Sequence, residues 1–288
     1  GPLHYQADSH LYSWLDAKGI DFDLITDREL HEEGVDSIRD YKALCTGSHP
    51  EYHTPQTLDA LQNYRDQGGR LVYLGGNGFY WKIALSPEDP ELIEIRRGES
   101  GIRAWAAEPG EYYHSFDGSY GGLWRRNGRP PQLLAGVGFS AQGKFEGSYY
   151  RRTTESRAPD LAWMFEGIED QEILGDFGFS GGGAAGFELD RADVRLGTPE
   201  EVRVVASSEN HTSSFVLVPE EMLTHITNWP GEEEQQKLIR SDIVYFQTPS
   251  GGEVFSTGSI TFCGSLPWND FDNNISRLLE NVIRRFLQ

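Results

Sequence analysis

The chain has 288 residues, 38% of them hydrophobic and 24% charged, which is enough to bury a full core and lies outside the composition of wholesale disorder. Asp and Glu outnumber Lys and Arg by 45 to 25, for a formal charge of -20, and no basic cluster stands apart from the acids, which argues against nucleic acid and anionic membranes as partners. No apolar run reaches membrane-spanning length and no signal-peptide pattern is present, while the two cysteines, Cys45 and Cys263, suit inert core thiols of a reducing, cytoplasmic compartment better than a disulfide framework.

Strand-like and helix-like patterns alternate from the start. SHLYSWLDAKG sets Leu11, Trp14 and Leu15 at helical spacing and closes on Gly19. DFDLIT reads as a strand, DRELHEEG as a short helix and KALCTG as a second strand. TPQTLDALQNYRDQGG is the clearest helix: Thr54 is its N-cap, Pro55 its first helical residue, Leu58, Leu61 and Tyr64 share a face, and Gly68 stops it. RLVYLGG follows as a third strand. Short connections between alternating strands and helices imply parallel pairing through right-handed crossovers, hence an α/β fold with a doubly wound, mostly parallel sheet. Ligands of such sheets bind beyond the carboxyl ends of the strands. Both GSHPEY and GGNGFYW lie at such ends.

From about Ile83 to Met222 helical periodicity fades and Gly-rich, aromatic and short β-like stretches take over, as in GEYYHSFDGSYGGLW and GDFGFSGGGAAGFELD. This texture predicts an irregular β-rich insertion, residues 83–222, folded over the carboxyl edge of the sheet within a single α/β domain of residues 1–288. The α/β pattern resumes with a hairpin-like strand pair around Ser250-Gly251-Gly252. It ends in an amphipathic helix capped by Asn273 or Asn274, with arginines in its last turns.

An amidotransferase-like sheet would place a nucleophilic Cys or Ser at the turn after the third strand, but here the turn reads LGGNGFYW, with Asn77 at that point and no nucleophile for an acyl-enzyme route. His49 and Glu51 stand two apart after the second strand and suit metal ligation or acid/base work, or else one of them caps the helix that starts near Pro55. Glu188 and Asp190 follow a run of small residues that lets a backbone pass close to something, and the glutamate is a candidate general base, with a solvated surface position as the plainer reading. Glu111, Tyr112, Tyr113, His114 and Glu166 could line a pocket, but ordinary surface or packing roles account for them as well.

Several longer blocks, WLDAKGIDFDLITDRELHEEG, TGSHPEYHT, GGRLVYLGGNGFYW, RRGESGIRAWAAEPGEYYHS, GDFGFSGGGAAGFELDRAD and FSTGSITFCGSLPWNDFDNNISRLLENVIRRFL, run in consistent order over nearly the whole chain. Together they resemble the C-terminal region of the large (beta) subunit of the N,N-dimethylformamidase family, so the chain reads as the C-terminal part of a longer one. The resemblance implies a class I glutamine-amidotransferase-like fold and an amidohydrolase that splits a small N-substituted formamide into formate and an amine. It implies a mononuclear iron, Fe3+ by preference, held by two tyrosines and a glutamate, an all-oxygen set that suits a hard ion. Carried over position by position, the glutamate ligand matches Glu51, with His49 beside it; the pocket asparagine matches Asn77 and the water-activating glutamate matches Glu188. Both tyrosine ligands of the family lie upstream of the His-x-Glu element, and Tyr5 and Tyr12 match neither; Tyr52 and Tyr80 stand at strand ends, where packing is the ordinary role of an aromatic. A small subunit and a homo-oligomer are the implied partners. Two readings of another class stay open: a module that binds a small polar ligand or sugar without hydrolysing it, and a structural domain that docks on a catalytic partner.

Overall fold

A computed structural model of the protein describes residues 4–89, 91–97, 108, 111–218 and 231–288. Its first helix, α1 (Tyr5–Ala17), turns Leu11, Trp14 and Leu15 inward and ends just before Gly19, whose φ of 62° is the left-handed conformation glycine adopts without penalty. Helix α2 (Asp27–Glu33) opens with a reciprocal capping box between Thr26 and Glu29. Strand β1 (Leu44–Cys45) leads through a turn to β2 (Tyr52–His53) and helix α3 (Pro55–Asp66), where the Thr54 side chain accepts from Thr57 N–H. Strand β3 (Arg70–Tyr73) follows, then β4 (Trp81–Leu85), β5 (Ile93–Ile95), β6 (Gly138–Arg152), β7 (Ala185–Arg191), β8 (Arg203–Glu209), β9 (Val216–Leu217), β10 (Asp242–Gln247) and β11 (Glu253–Ser256). The C-terminal helix, Asn274–Phe286, takes Asn273 as its cap.

The main sheet runs β1-β3-β11-β10-β8-β6-β7, with β9 added to β6. A smaller sheet, β2-β4-β5, stands beside it. Period-two alternation sends the side chains of β3 to opposite faces. Val72 and Leu74 join Phe255, Ile243 and Val205 under α1 and the C-terminal helix, while Leu71 and Tyr73 join Val244, Phe246 and Val254 under α3. Helices therefore cover both faces of the sheet. Trp14, fully buried, donates its indole N–H to Ser276 Oγ at 2.8 Å and ties α1 to the C-terminal helix.

Three expectations change. The sheet is mixed rather than mostly parallel: β1, β3 and β11 are parallel to one another, but β10, β8, β6 and β7 each run antiparallel to their neighbours. The short connection between β10 and β11 makes that pair antiparallel, because a hairpin can join only antiparallel strands. Four strands of the region expected to fold over the sheet, β6, β7, β8 and β9, instead join it. Strand β6 is 15 residues long, pairing with β7 and β9 along its first part and with β8 along its last four residues, and two register shifts against β7 curl the sheet. The small residues of GGGAAG serve this packing, since a Cβ on Gly183 would lie 2.4 Å from the Ser148 carbonyl. Finally, DFDLIT forms no strand: β1 is the sheet's edge and pairs with β3 alone among the described residues, so the alternating pattern finds no ladder, and Leu24 stays 65% exposed.

Candidate active site

Strands β1 and β3 are parallel neighbours and end together, which brings the turns that follow them, residues 46–51 and 74–80, side by side. Backbone bonds lace the two: Gly76 N–H donates to the Ser48 carbonyl at 3.2 Å, Phe79 N–H to Pro50 at 2.7 Å, and the N–H groups of Tyr80 and Trp81 both to Glu51, at 3.0 and 2.9 Å. Glycine is required at this seam, because a Cβ on Gly75 would meet the Ser48 carbonyl at 2.6 Å. On the far side, Asp8 of α1 accepts from Ser48 N–H and Oγ at 2.7 and 2.8 Å and fixes the start of the turn. Helix α3 is capped by Thr54, so neither His49 nor Glu51 is spent on capping.

Both side chains instead point to one place. His49 Nε2 lies 3.1 Å from Glu51 Oε2, and His49 Nδ1 donates to the Gly76 carbonyl at 2.9 Å and stands 3.7 Å from Glu188 Oε2. Asn77 Nδ2 donates to Glu51 Oε1 at 3.2 Å. The four residues singled out in the sequence, His49, Glu51, Asn77 and Glu188, thus meet at the carboxyl ends of β1 and β3, with Glu188 contributed by β7.

Burial opposes a charge on His49, but the Glu51 hydrogen bond, the charges of Glu188 and Glu51 and the Gly76 carbonyl outweigh it and raise the imidazole to about 9. Burial pushes the other way on Glu51, and the His49 bond and charge together with Arg97 hold its carboxyl below the ordinary range. Both His49 ring nitrogens are engaged, by Glu51 and by the Gly76 carbonyl, and these contacts favour its charged form. A carboxylate accepts only, so Glu51 fixes which end of the Asn77 amide faces it. Asn77 Oδ1 is then a buried acceptor with no hydrogen-bond partner among the described residues.

Further residues complete the surroundings. Asp190, two positions beyond Glu188 on β7, accepts from Asn77 N–H at 2.7 Å and from Tyr73 OH at 2.7 Å. Burial raises its carboxyl to about 7 against those two hydrogen bonds. Arg97 lies over the rings of Trp81 and Tyr52, 4.8 and 5.8 Å from their centroids, and its guanidinium meets the Tyr52 hydroxyl. His4 packs edge-on against His49 with ring centroids 4.7 Å apart. The sequence set Asp190 beside Glu188 after the small-residue run without a role for it, and their i, i+2 spacing puts both on one strand face. A cleft of about 380 Å³ between α1, α2 and the end of the C-terminal helix adjoins the site only through Thr46 and Gly47.

Residues 1–274 match the profile of the family described as N,N-dimethylformamidase beta subunit-like, C-terminal. The chain belongs to this family. It is 42% identical over 282 residues to the N,N-dimethylformamidase beta subunit of Paracoccus aminophilus and 41% identical over the same length to that of an Alcaligenes species. In both cases 98% of this chain is covered, and it spans 37% of the relative's length. Among solved structures, a ThuA-like protein from Bacteroides uniformis aligns over 98% of this chain and 82% of its own, with a TM-score of 0.47 and 13% identity.

The iron implied for the N,N-dimethylformamidase family can be set against this chain's donors. Glu51 fits as one hard oxygen ligand, half-buried against His49, which Glu188 approaches from its other nitrogen. The remaining positions have no match: among the described residues no group of three or more His, Cys, Asp and Glu is arranged to hold a metal ion. Tyr5 is exposed, Tyr12 stacks on Phe22, the Tyr52 hydroxyl meets Arg97, and Tyr80 packs edge-on to Trp81 and Phe139. The residues described here therefore fit one position of the shell and do not complete it.

Proposed function

We propose that this chain carries the water-activating side of an amidohydrolase of the N,N-dimethylformamidase kind, acting on a small N-substituted formamide. The observation that supports this reading is the meeting of His49, Glu51, Asn77 and Glu188 from three separate segments at the carboxyl ends of two parallel strands, in a chain of that family. Water adds through its oxygen to the formyl carbon, and Glu188 takes the proton it gives up. Asn77 Oδ1, the vacant acceptor, holds the water's second proton and so turns a lone pair toward the carbon. The His49 imidazolium steadies the negative charge that gathers on the carbonyl oxygen through its field. The C–N bond then breaks as Glu188 returns that proton to the amine nitrogen, and formate and amine leave.

A mononuclear Fe3+ would serve as Lewis acid toward the amide oxygen or toward water, with Glu51 as its ligand from this chain and the other ligands from outside the described residues. Because the relatives are named beta subunits, the proposal includes a small partner subunit and a homo-oligomer. It also includes a cytoplasmic location: both cysteines are free, and burial pushes the Cys45 thiol up to about 12, which suits inert thiols. Among the described residues no helix is long and apolar enough to cross a membrane.

The test is made in the full-length enzyme. Glu188→Gln is expected to keep iron and KM and to lose about 10²- to 10⁴-fold in kcat. A Glu188→Gln enzyme with wild-type kcat would sink the assignment. Elemental analysis beside it should show iron lost from Glu51→Ala.

A further inference from the structure

Asn77 and Phe79 both hold positive φ, 50° and 56°, in the turn after β3. For residues with a side chain, each such conformation is a source of strain and persists only where surrounding bonds fix it. Here those bonds converge on two buried side chains. Asp190 Oδ1 accepts from Asn77 N–H at 2.7 Å, and its Oδ2 accepts from Tyr73 OH at 2.7 Å. The same phenol oxygen accepts from Gly78 N–H at 2.8 Å. Two consecutive amides of the strained turn thus end on one linked pair, Tyr73–Asp190, both members of which are fully buried.

The placement of this pair is what gives it meaning. Tyr73 is the last residue of β3, and Asp190 shares a strand face with Glu188 on β7. One strand therefore presents a carboxylate to the site at position 188 and, two residues on, grips the turn that carries Asn77. The turn lies against β7 with no slack: a Cβ on Gly76 would meet the Glu188 carbonyl oxygen at 2.6 Å. Asn77 in turn donates to Glu51.

We propose that Asp190 and Tyr73 are positioning residues that set the distance between Glu188 and the Asn77–Glu51 pair and so hold the attacking water in line with the carbonyl carbon. The inference rests on the amidohydrolase reading given above. A displacement on the order of 1 Å in such an arrangement costs roughly a hundredfold in rate.

The experiment compares Asp190→Ala, Asp190→Asn and Tyr73→Phe with wild type in the full-length enzyme. It measures kcat and KM on N,N-dimethylformamide, iron content, Tm, and hydrogen exchange at the amides of Asn77 and Gly78. Asp190→Ala is expected to lower kcat about a hundredfold with KM within about threefold and iron retained. Asp190→Asn, which keeps an acceptor for the Asn77 amide, should recover most of that loss. Tyr73→Phe, which removes only the hydroxyl, serves where Asp190→Ala does not fold; it should lower kcat about tenfold, from the smaller displacement left by one lost bond. A kcat within twofold of wild type in both Asp190→Ala and Tyr73→Phe overturns the proposal, as does a fall in Tm alone. If the wild-type enzyme hydrolyses no amide, the proposed function fails separately. Exchange then still decides the geometry: equal protection of Asn77 and Gly78 in wild type and in the variants overturns it, and faster exchange in the variants upholds it.

Discussion

Gly76→Ala tests the packing of the site directly. The added Cβ would sit 2.6 Å from the Glu188 carbonyl oxygen and 2.9 Å from the Ile260 nitrogen, both backbone atoms of ordered segments. To reach an ordinary contact of 3.4 Å the turn and β7 must part by about 0.8 Å, and no flexible side-chain end can yield instead. Overpacking of this kind costs about 1 to 3 kcal/mol. At about 2 to 4 °C per kcal/mol for a domain of this size class, Tm should fall by about 2 to 12 °C. The same movement shifts the Gly76 carbonyl that fixes His49 and draws Asn77 away from Glu188, so kcat should drop about a hundredfold in the full-length enzyme. Urea unfolding followed by tryptophan fluorescence gives the stability change, and steady-state kinetics gives the rate. A Gly76→Ala protein within 0.5 kcal/mol of wild type and with unaltered kcat would show that the turn is not pressed on β7 as described.

Asp190 carries a pH signature: burial raises its carboxyl to about 7, so the stability it contributes is full below pH 4 and is lost as pH rises through 7. Asp190→Asn should flatten the fall in unfolding free energy between about pH 5 and 7.5; an unchanged slope in urea titrations across that range refutes the shift. Thr54→Ala removes the α3 cap and the partner of His31 Nδ1 at 2.8 Å, and should cost about 1 to 2 kcal/mol in urea unfolding. Trp14→Phe strands the Ser276 hydroxyl in the core and should cost about 1 to 3 kcal/mol by the same measurement, with the α3 face of the sheet unaffected in hydrogen exchange.

The helices were legible because their signals are local. Thr54, Pro55 and Gly68 punctuate α3 where the structure begins and ends it, and the spacing of Leu11, Trp14 and Leu15 states which side of α1 is buried. Strand direction is not local. Nothing in the β6 or β8 residues says which way a neighbour runs, and the alternation of DFDLIT is that of a strand although no neighbour pairs with it. Sheet membership is decided by partners far away in sequence. That is why the stretch from Ile83 to Met222 reads as an insertion, although its strands β6, β7, β8 and β9 join the main sheet.

The same division runs through the site. His49, Glu51 and Asn77 sit at strand ends that the sequence can locate, and a resemblance over long blocks singles out Glu188, whose own neighbourhood of small residues says little. What holds them in register had a weaker signal. Asp190 stands beside Glu188 after the small residues, but nothing local says what it grips, and Tyr73 reads as one more core aromatic. Only the fold puts the Tyr73 hydroxyl at 2.7 Å from Asp190 and sets that carboxyl under the Asn77 amide. His49, Glu51 and Asn77 stand in turns at strand ends, where residue type is conspicuous; Asp190 and Tyr73 lie fully buried, where a carboxylate costs free energy unless its oxygens are bonded. A buried acid with one oxygen engaged by the turn and the other by the end of β3 is thus more informative about the site than any of the exposed acids, and composition alone conceals it.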